Sequence, residues 1–491
     1  MTQPTTPLPT PVLDALLCRL AQARPMVRQE RTFTRLRLLT LASLLALGRH
    51  TLTQLLVVLG VADQDWSAWY RLFNRGRLAP AAGERAVVAE LLASTAAAAP
   101  LPVVLDATQL PRSSARFPGA GLTRAPRSPA WRPGLHLAQR VEIVSGLLPR
   151  SAAGDSRAVP LQATVLRSPR TQPLGATPEQ SEGAAALSLL HWLRATVDGL
   201  GEPQRPVLAL GDGAYSTAPL LRGVPAHTTL LARCAKNRAL YALPEPEAPR
   251  RGRKRLYGVR GATPQATLHD KTGWQTVTVQ VRGRTIPLTV KVTGPWVVHG
   301  AAQQPGFLLV VKGIEQGSGT SRRQRDPQFY FVTAIRAEPT TTEPTTTEPT
   351  EEWQLPWAVD ELLSWAWQRW EVEVMHRELK SSCGLGEQQA WSPTGASTTL
   401  AWALWSYALL ILSGYAVWGL GPASGPAAGP ALGRWWRPRR WSVGRLLQEV
   451  RTELWHSAEC TPVWTRSPDA WPAMEAWLVT QTNAAHGTRR L

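Results

Sequence analysis

Two aspartates close short apolar runs: Asp106 follows Val103-Val104-Leu105, and Asp212 follows Leu208-Ala209-Leu210-Gly211. A carboxylate at the end of a buried strand is costly unless it is paired or holds a cation. Further along, the stretch WAWQRWEVEVMHRELKSS has helical character and carries three more acids, Glu371, Glu373 and Glu378. At about 100° per residue, Arg369, Glu373, His376 and Lys380 share one face, while Glu371 and Glu378 fall about 160° away from Glu373. A carboxylate that works on a polyanion benefits from cations beside it, which selects Glu373. Asp106, Asp212 and Glu373 together could hold two Mg²⁺ ions, with Mn²⁺ as a substitute, because these hard cations take carboxylate oxygens. Two such ions about 4 Å apart activate a water or hydroxyl and stabilise the leaving oxygen in attack on a phosphodiester. Taken singly, each aspartate is more often a turn or cap residue, and it is their combination that points to chemistry. Arg369 and Glu373 read equally as an i,i+4 ion pair on a solvated helix. His376 shares the face and is given no role.

The elements that must position these groups follow from hydrophobic periodicity. Residues 1–95 read as a helical region. Within it, 51–78 resembles a helix-turn-helix, with Arg71, Arg75 and Arg77 around its second helix. Residues 96–239 read as three strands, a helix, a strand, a short helix and a strand, the first part of an α/β core with a mixed sheet. The first of these strands is expected to end on Asp106. Residues 240–336 alternate apolar and polar residues, a β-rich insertion with a turn at Arg282-Gly283. Residues 337–352 repeat Glu-Pro-Thr-Thr-Thr and form a low-complexity linker. Residues 353–395 carry one long helix over 357–383, and 396–491 a Trp-rich helical region.

Bulk composition points to a polyanionic partner. The chain has 491 residues, 44% of them hydrophobic, and a net charge of +19. Its basic residues cluster at Arg124, Arg127 and Arg132; at Lys236 and Arg238; at Arg250, Arg251, Arg253, Lys254 and Arg255; and at Arg437, Arg439 and Arg440. Such runs suit contact with DNA phosphates, although each alone reads as a solvated loop. The four cysteines are far apart, which indicates neither a zinc site nor a disulfide framework. The N-terminus lacks the pattern of a signal peptide. Residues 388–433 contain no charge, and 400–420 are apolar enough to span a bilayer. A helix buried on all sides is the preferred reading, and no membrane is expected.

The spacing Arg369-x3-Glu373-x6-Lys380, seen together with both aspartates, resembles the signature of DDE transposases from bacterial insertion sequences, in particular the family of insertion sequence four. LDATQL at Asp106, GDGAYST at Asp212, LARCAKNRALY and FYFVTAI are similar in texture, so the likeness covers about residues 40–460. It implies a ribonuclease-H-like core with a β-strand insertion between the second Asp and the Glu. It also implies metal-dependent cleavage at transposon ends, followed by transfer of the freed 3′-OH into target DNA, by a homodimer in the bacterial cytoplasm. Arg369 and Lys380 would contact phosphates near the cleaved end, and Thr108 and Tyr215 would support the site. The family signature opens with Tyr three residues before the Arg; here that position is Ala366, between Trp365 and Trp367, one of which could stack on DNA in its place. Two neighbouring readings use the same core: a transposase-derived DNA-binding protein that no longer cuts, and a structure-specific nuclease.

Overall fold

The structure, a computed structural model, describes residues 10–61, 63–126, 128–129, 131–166, 181–244, 255–316, 323–337, 353–424 and 438–456. The basic residues Arg127, Arg250, Arg251, Arg253, Lys254 and Arg437 and the linker at 338–352 lie outside these.

The N-terminal region folds into α1 (Pro11–Gln22), α2 (Glu30–Leu45), α3 (Leu52–Val58), α4 (Ser67–Asn74) and α5 (Pro80–Ala93). Local chemistry sets several of the starts. Proline occupies the first turn of α1 and α5, and the Thr51 side chain accepts from the Gln54 N–H at the head of α3. These helices gather on α11 (Pro393–Trp418), whose N-cap Ser392 accepts from the Gly395 N–H at 3.0 Å. α1, α4, α5, α12 (Val443–His456) and the strand β4 all pack on α11. A helix apolar on every side is stable when every side is covered. Long and apolar enough to cross a membrane, α11 is instead mostly buried inside this fold.

The core is one 11-stranded mixed sheet. Its first half contains β1 (Leu101–Pro111), β2 (Ala120–Arg124), β3 (Leu135–Leu147), β4 (Ala158–Val165), β5 (Val207–Gly211) and β6 (Thr228–Arg233). β3 runs antiparallel to β1, β4 antiparallel to β3, and β5 and β6 parallel to β1. The order β4-β3-β1-β5-β6 is that of a ribonuclease-H-like core. β5 is buried over its whole length, as a parallel strand covered on both faces must be. Helices α6 (Glu182–Gly199) and α7 (Ala218–Gly223) provide the connections.

The remaining strands extend the same sheet: β7 (Leu240–Ala242), β8 (Gln275–Val281), β9 (Arg284–Val298), β10 (Ala301–Val311) and, after the small hairpin of β11 (Ile314–Gln316) and β12 (Arg323–Arg325), β13 (Gln328–Thr333). A short helix, α8 (Pro264–His269), precedes β8. β13 pairs antiparallel with β6 and so joins this half to the core. Arg282 and Gly283 both take positive φ, as the two-residue turn between β8 and β9 requires. β14 (Ile335–Arg336) and β15 (Trp353–Gln354) pair across the linker and bring its two ends together.

Two expectations are corrected. The first strand does not end at Asp106. β3 is long enough to continue the ladder from Asp106↔Ile143 to Pro111↔Ala138, so Asp106 sits in mid-strand. The parallel β1–β5 ladder does stop just before it, at Val104↔Leu210. The helix expected over 357–383 is two, α9 (Val359–Gln368) and α10 (Trp370–Ser382), interrupted at Arg369. There the Val372 N–H donates to the Arg369 carbonyl three residues back, a tighter turn, and the buried Gln368 amide donates to the Gly154 carbonyl at 2.5 Å.

Candidate active site

The sheet topology places Asp106 on β1 and Asp212 just past the end of its parallel neighbour β5, and α10 lies across β1. Asp212 follows β5 and caps the turn Gly213–Tyr215, accepting from the Ala214 N–H at 2.7 Å. Gly211 permits this turn, because a β-carbon there would stand 2.6 Å from the Tyr215 side chain. Glu373, in the first turn of α10, accepts from Arg369 Nη2 at 3.0 Å.

Electrostatics tie these groups together. The Asp106 carboxyl is raised to about 7, first by burial; Arg369 opposes the rise, and the charges of Asp212, Glu373 and Glu182 add to it. His376 Nδ1 lies 3.4 Å from Asp106 Oδ2. Burial, helped by Lys380, lowers His376 to about 3, so the imidazole is neutral at pH 7. Lys380 Nζ donates to Thr108 Oγ1 at 2.6 Å, which anchors α10 to β1 two residues beyond Asp106.

Among the described residues, no three His, Cys, Asp or Glu side chains stand as a ready group around one cation. One Asp212 oxygen is taken by the Ala214 amide and one Glu373 oxygen by Arg369. The donor set nonetheless fits a hard divalent ion. All three groups are carboxylates, and the burial and neighbouring negative charge that together raise Asp106 are what a cation would offset.

The other two glutamates of α10 are occupied. Glu371 is buried against Arg440 at 2.8 Å, with Arg282 at 3.7 Å. Glu378 accepts from the Tyr407 hydroxyl at 2.7 Å and lies 3.5 Å from Arg157.

A supporting group under the site was not read from the sequence. Glu142, on β3, is fully buried and raised to about 9, mainly by burial, so it is a neutral acid at pH 7. The Tyr215 hydroxyl lies 2.9 Å from both Glu142 oxygens and 3.2 Å from Glu182, and Glu182 pairs with Arg140. The signal was a lone acid inside the apolar run VEIVSG.

The basic residues divide. Arg369 and Lys380 stand at the carboxylates. Arg238 donates to the Ser216 carbonyl at 2.6 Å, beside the Asp212 turn, and Lys236 is exposed nearby in sequence. Arg255 is exposed at the border of the described residues. Of the basic run at 434–441 only 438–441 are described: Arg439 is exposed and donates to the Arg282 carbonyl, Arg440 pairs with Glu371, and Trp441 is buried with Arg157 over its ring at 3.8 Å. Trp365 is buried under Arg150 and offers no open ring in place of the family's Tyr, while Trp367 is half-buried at the edge of a cleft with Arg325 over its ring at 4.5 Å. Trp370 is the exposed tryptophan there, at the rim of a cleft of about 870 Å³ that also receives Arg282, Arg284, Arg325 and Arg439. On α4, Trp69, Leu72 and Phe73 are buried, with Phe73 against Trp402 of α11, and Arg75 and Arg77 remain exposed.

A family model described as DDE superfamily endonuclease matches residues 24–288, more than half of the chain. The match includes Asp106 and Asp212 and stops before Glu373. No curated protein matches the chain.

Proposed function

We propose that this chain, which belongs to the DDE superfamily of endonucleases, is a DNA transposase of the insertion-sequence-four type that cleaves at transposon ends and joins the freed 3′-OH to target DNA. What supports this reading is the family match together with the placement of Asp106 and Asp212 where the β1–β5 ladder ends and of Glu373 on α10, which lies across β1. Nucleases of this superfamily typically use divalent metal ions, and we assign two Mg²⁺, replaceable by Mn²⁺, to Asp106, Asp212 and Glu373. Bound there, the ions would supply Lewis acidity for attack by a water and later by a DNA hydroxyl.

The chain's own residues do the rest. Neutral His376 orients Asp106, and the Lys380–Thr108 bond fixes β1 to α10. Arg369 and Lys380 present cations to the phosphates of the cleaved end. Arg238 steadies the loop after Asp212. Exposed Lys236 and Arg255 extend the DNA-binding surface, Arg253 and Lys254, outside the described residues, are assigned to DNA binding from the sequence alone, and the α3–α4 pair is assigned to DNA recognition. Because two ends must be held at once, the active species is a homodimer on DNA, in the bacterial cytoplasm.

A second reading, a DNA-binding derivative that no longer cuts, is favoured by Ala366 and by side chains that do not converge around one cation. The test is to incubate the full chain and Mg²⁺ with DNA flanking its own coding sequence and a supercoiled target. Nicked ends and joined products support the transposase. Cutting without joining supports a structure-specific nuclease, and tight binding without cutting supports the derivative.

A further inference from the structure

Between Ala120 and Gln139 the chain carries three arginines, Arg124, Arg127 and Arg132, and no aspartate or glutamate. This stretch makes an arm. β2 and the first half of β3 pair from Ala120↔Gln139 to Arg124↔Leu135, a two-stranded ribbon that continues the β1–β3 ladder away from the catalytic carboxylates. Its root is packed: Phe117 and Ala120 are buried with Ala396, and Leu137 lies against them. His136 Nε2 and Gln109 Oε1 are 2.8 Å apart and tie the ribbon to β1.

The outer half is not packed. Leu122 and Leu135 are 64% and 67% exposed, and Trp131 in the connecting loop is 86% exposed. Among the described residues of the loop, the Ala125 N–H donates to the Gly134 carbonyl at 2.8 Å and Ser128 Oγ to the Ala125 carbonyl at 2.7 Å. Arg124 and Arg132 are exposed beside these apolar groups. Three large apolar side chains on one outward ribbon mark a contact surface. The cationic charge selects a polyanion over a second protein surface as the occupant, and a two-stranded ribbon has the width of a duplex major groove.

Resting on the transposase reading, we propose that the β2–β3 arm is a DNA-contacting ribbon, with Arg124 and Arg132 on backbone phosphates and Trp131 against the bases. The distance is set by register. Leu135 is eight residues beyond Ile143, the partner of Asp106, or about 26 Å at 3.3 Å per residue. A duplex lying along the ribbon therefore meets the loop about eight base pairs from the cleaved bond, at 3.4 Å per base pair.

The test places the photo-crosslinking residue benzoylphenylalanine at position 131 of the full chain, on the flanking-DNA duplex. Crosslinks to DNA roughly six to ten base pairs from the cleaved bond are expected. Trp131→Ala should bind that duplex about ten-fold more weakly. Arg124→Ala with Arg132→Ala should lower the slope of log affinity against log salt by about two. Crosslinks to a second copy of the chain would make the arm a protein interface and overturn the proposal. Unchanged binding and salt slope in a chain that still binds and cuts would overturn the arm alone. An unaltered chain that neither binds nor cuts that DNA would overturn the arm and the transposase reading together.

Discussion

The two faces of α10 meet opposite fates with the same residue types. Toward α11 and residues 438–441, Glu371 and Glu378 are matched by Arg440, Arg282, Arg157 and the Tyr407 hydroxyl. Toward β1, Glu373 pairs with Arg369 and neighbours Asp106, whose carboxyl is raised to about 7, first by burial and then by the charges of Asp212, Glu373 and Glu182. The first face is a packing seam. The second holds charge that the protein alone does not neutralise, which is the condition for taking up a cation and a phosphodiester. On the function proposed above, what separates a structural carboxylate from a catalytic one is its surroundings and not its residue type.

The largest expected effect is on the unmatched face. Asp106→Asn should reduce DNA cutting by roughly a thousand-fold or more. It should also raise metal-free stability. Asp106 titrates near 7 when folded and at about 3.8 when unfolded, so between those values the folded state binds more protons, and this group lowers stability as pH rises. At pH 8 without metal the variant should gain on the order of 2 kcal/mol over the unaltered chain, a difference that vanishes below pH 4. Thermal unfolding at both pH values would measure it; a loss of stability at pH 8 would mean that the Asp106 charge is already matched.

On the matched face the pattern should invert. Glu371→Gln strips the charge partner from Arg440 and should cost about 2–3 kcal/mol, somewhat below the range for fully buried pairs because Arg440 and Arg282 reach solvent. Per folded molecule, cutting should be unchanged. Denaturant unfolding beside an activity assay checks both halves.

A smaller effect lies under the site. Tyr215→Phe removes the donor that faces Glu142 and should cost about 1–2 kcal/mol. By loosening the Asp212 turn, it should raise the Mg²⁺ concentration for half-maximal cutting about ten-fold. Glu142→Gln, which copies the neutral acid, should be tolerated below pH 8. It should also remove the stability loss that Glu142 imposes between about 4.5, its unfolded value, and about 9. Equal Mg²⁺ requirements in the unaltered chain and Tyr215→Phe would separate this network from the site.

Much of this contrast could be read in the sequence. Apolar runs ending on Asp106 and Asp212 announce strands and carboxylates, and helical spacing separates Glu373 from Glu371 and Glu378. The uncharged stretch at 400–420 reads as the buried helix that α11 is. Long-range pairing was not legible. Glu142 meets Tyr215 across 73 residues, and β13 closes on β6 across about a hundred. The partner of Arg440 was hidden for the same reason: Glu371 is 69 residues away in sequence, and only the fold shows that this charge is matched. The extension of β1 past Asp106 likewise depended on the length of β3, a property of the partner strand.

The most direct measurement is Mg²⁺-dependent cleavage of the DNA flanking the coding sequence by the unaltered chain, Glu373→Gln and Glu371→Gln, each normalised to folded protein and checked for DNA binding. The account predicts that Glu373→Gln alone stops cutting while still binding DNA. Equal cutting by all three, or loss in Glu371→Gln alone, would contradict the assignment of the unmatched face of α10 as the catalytic one.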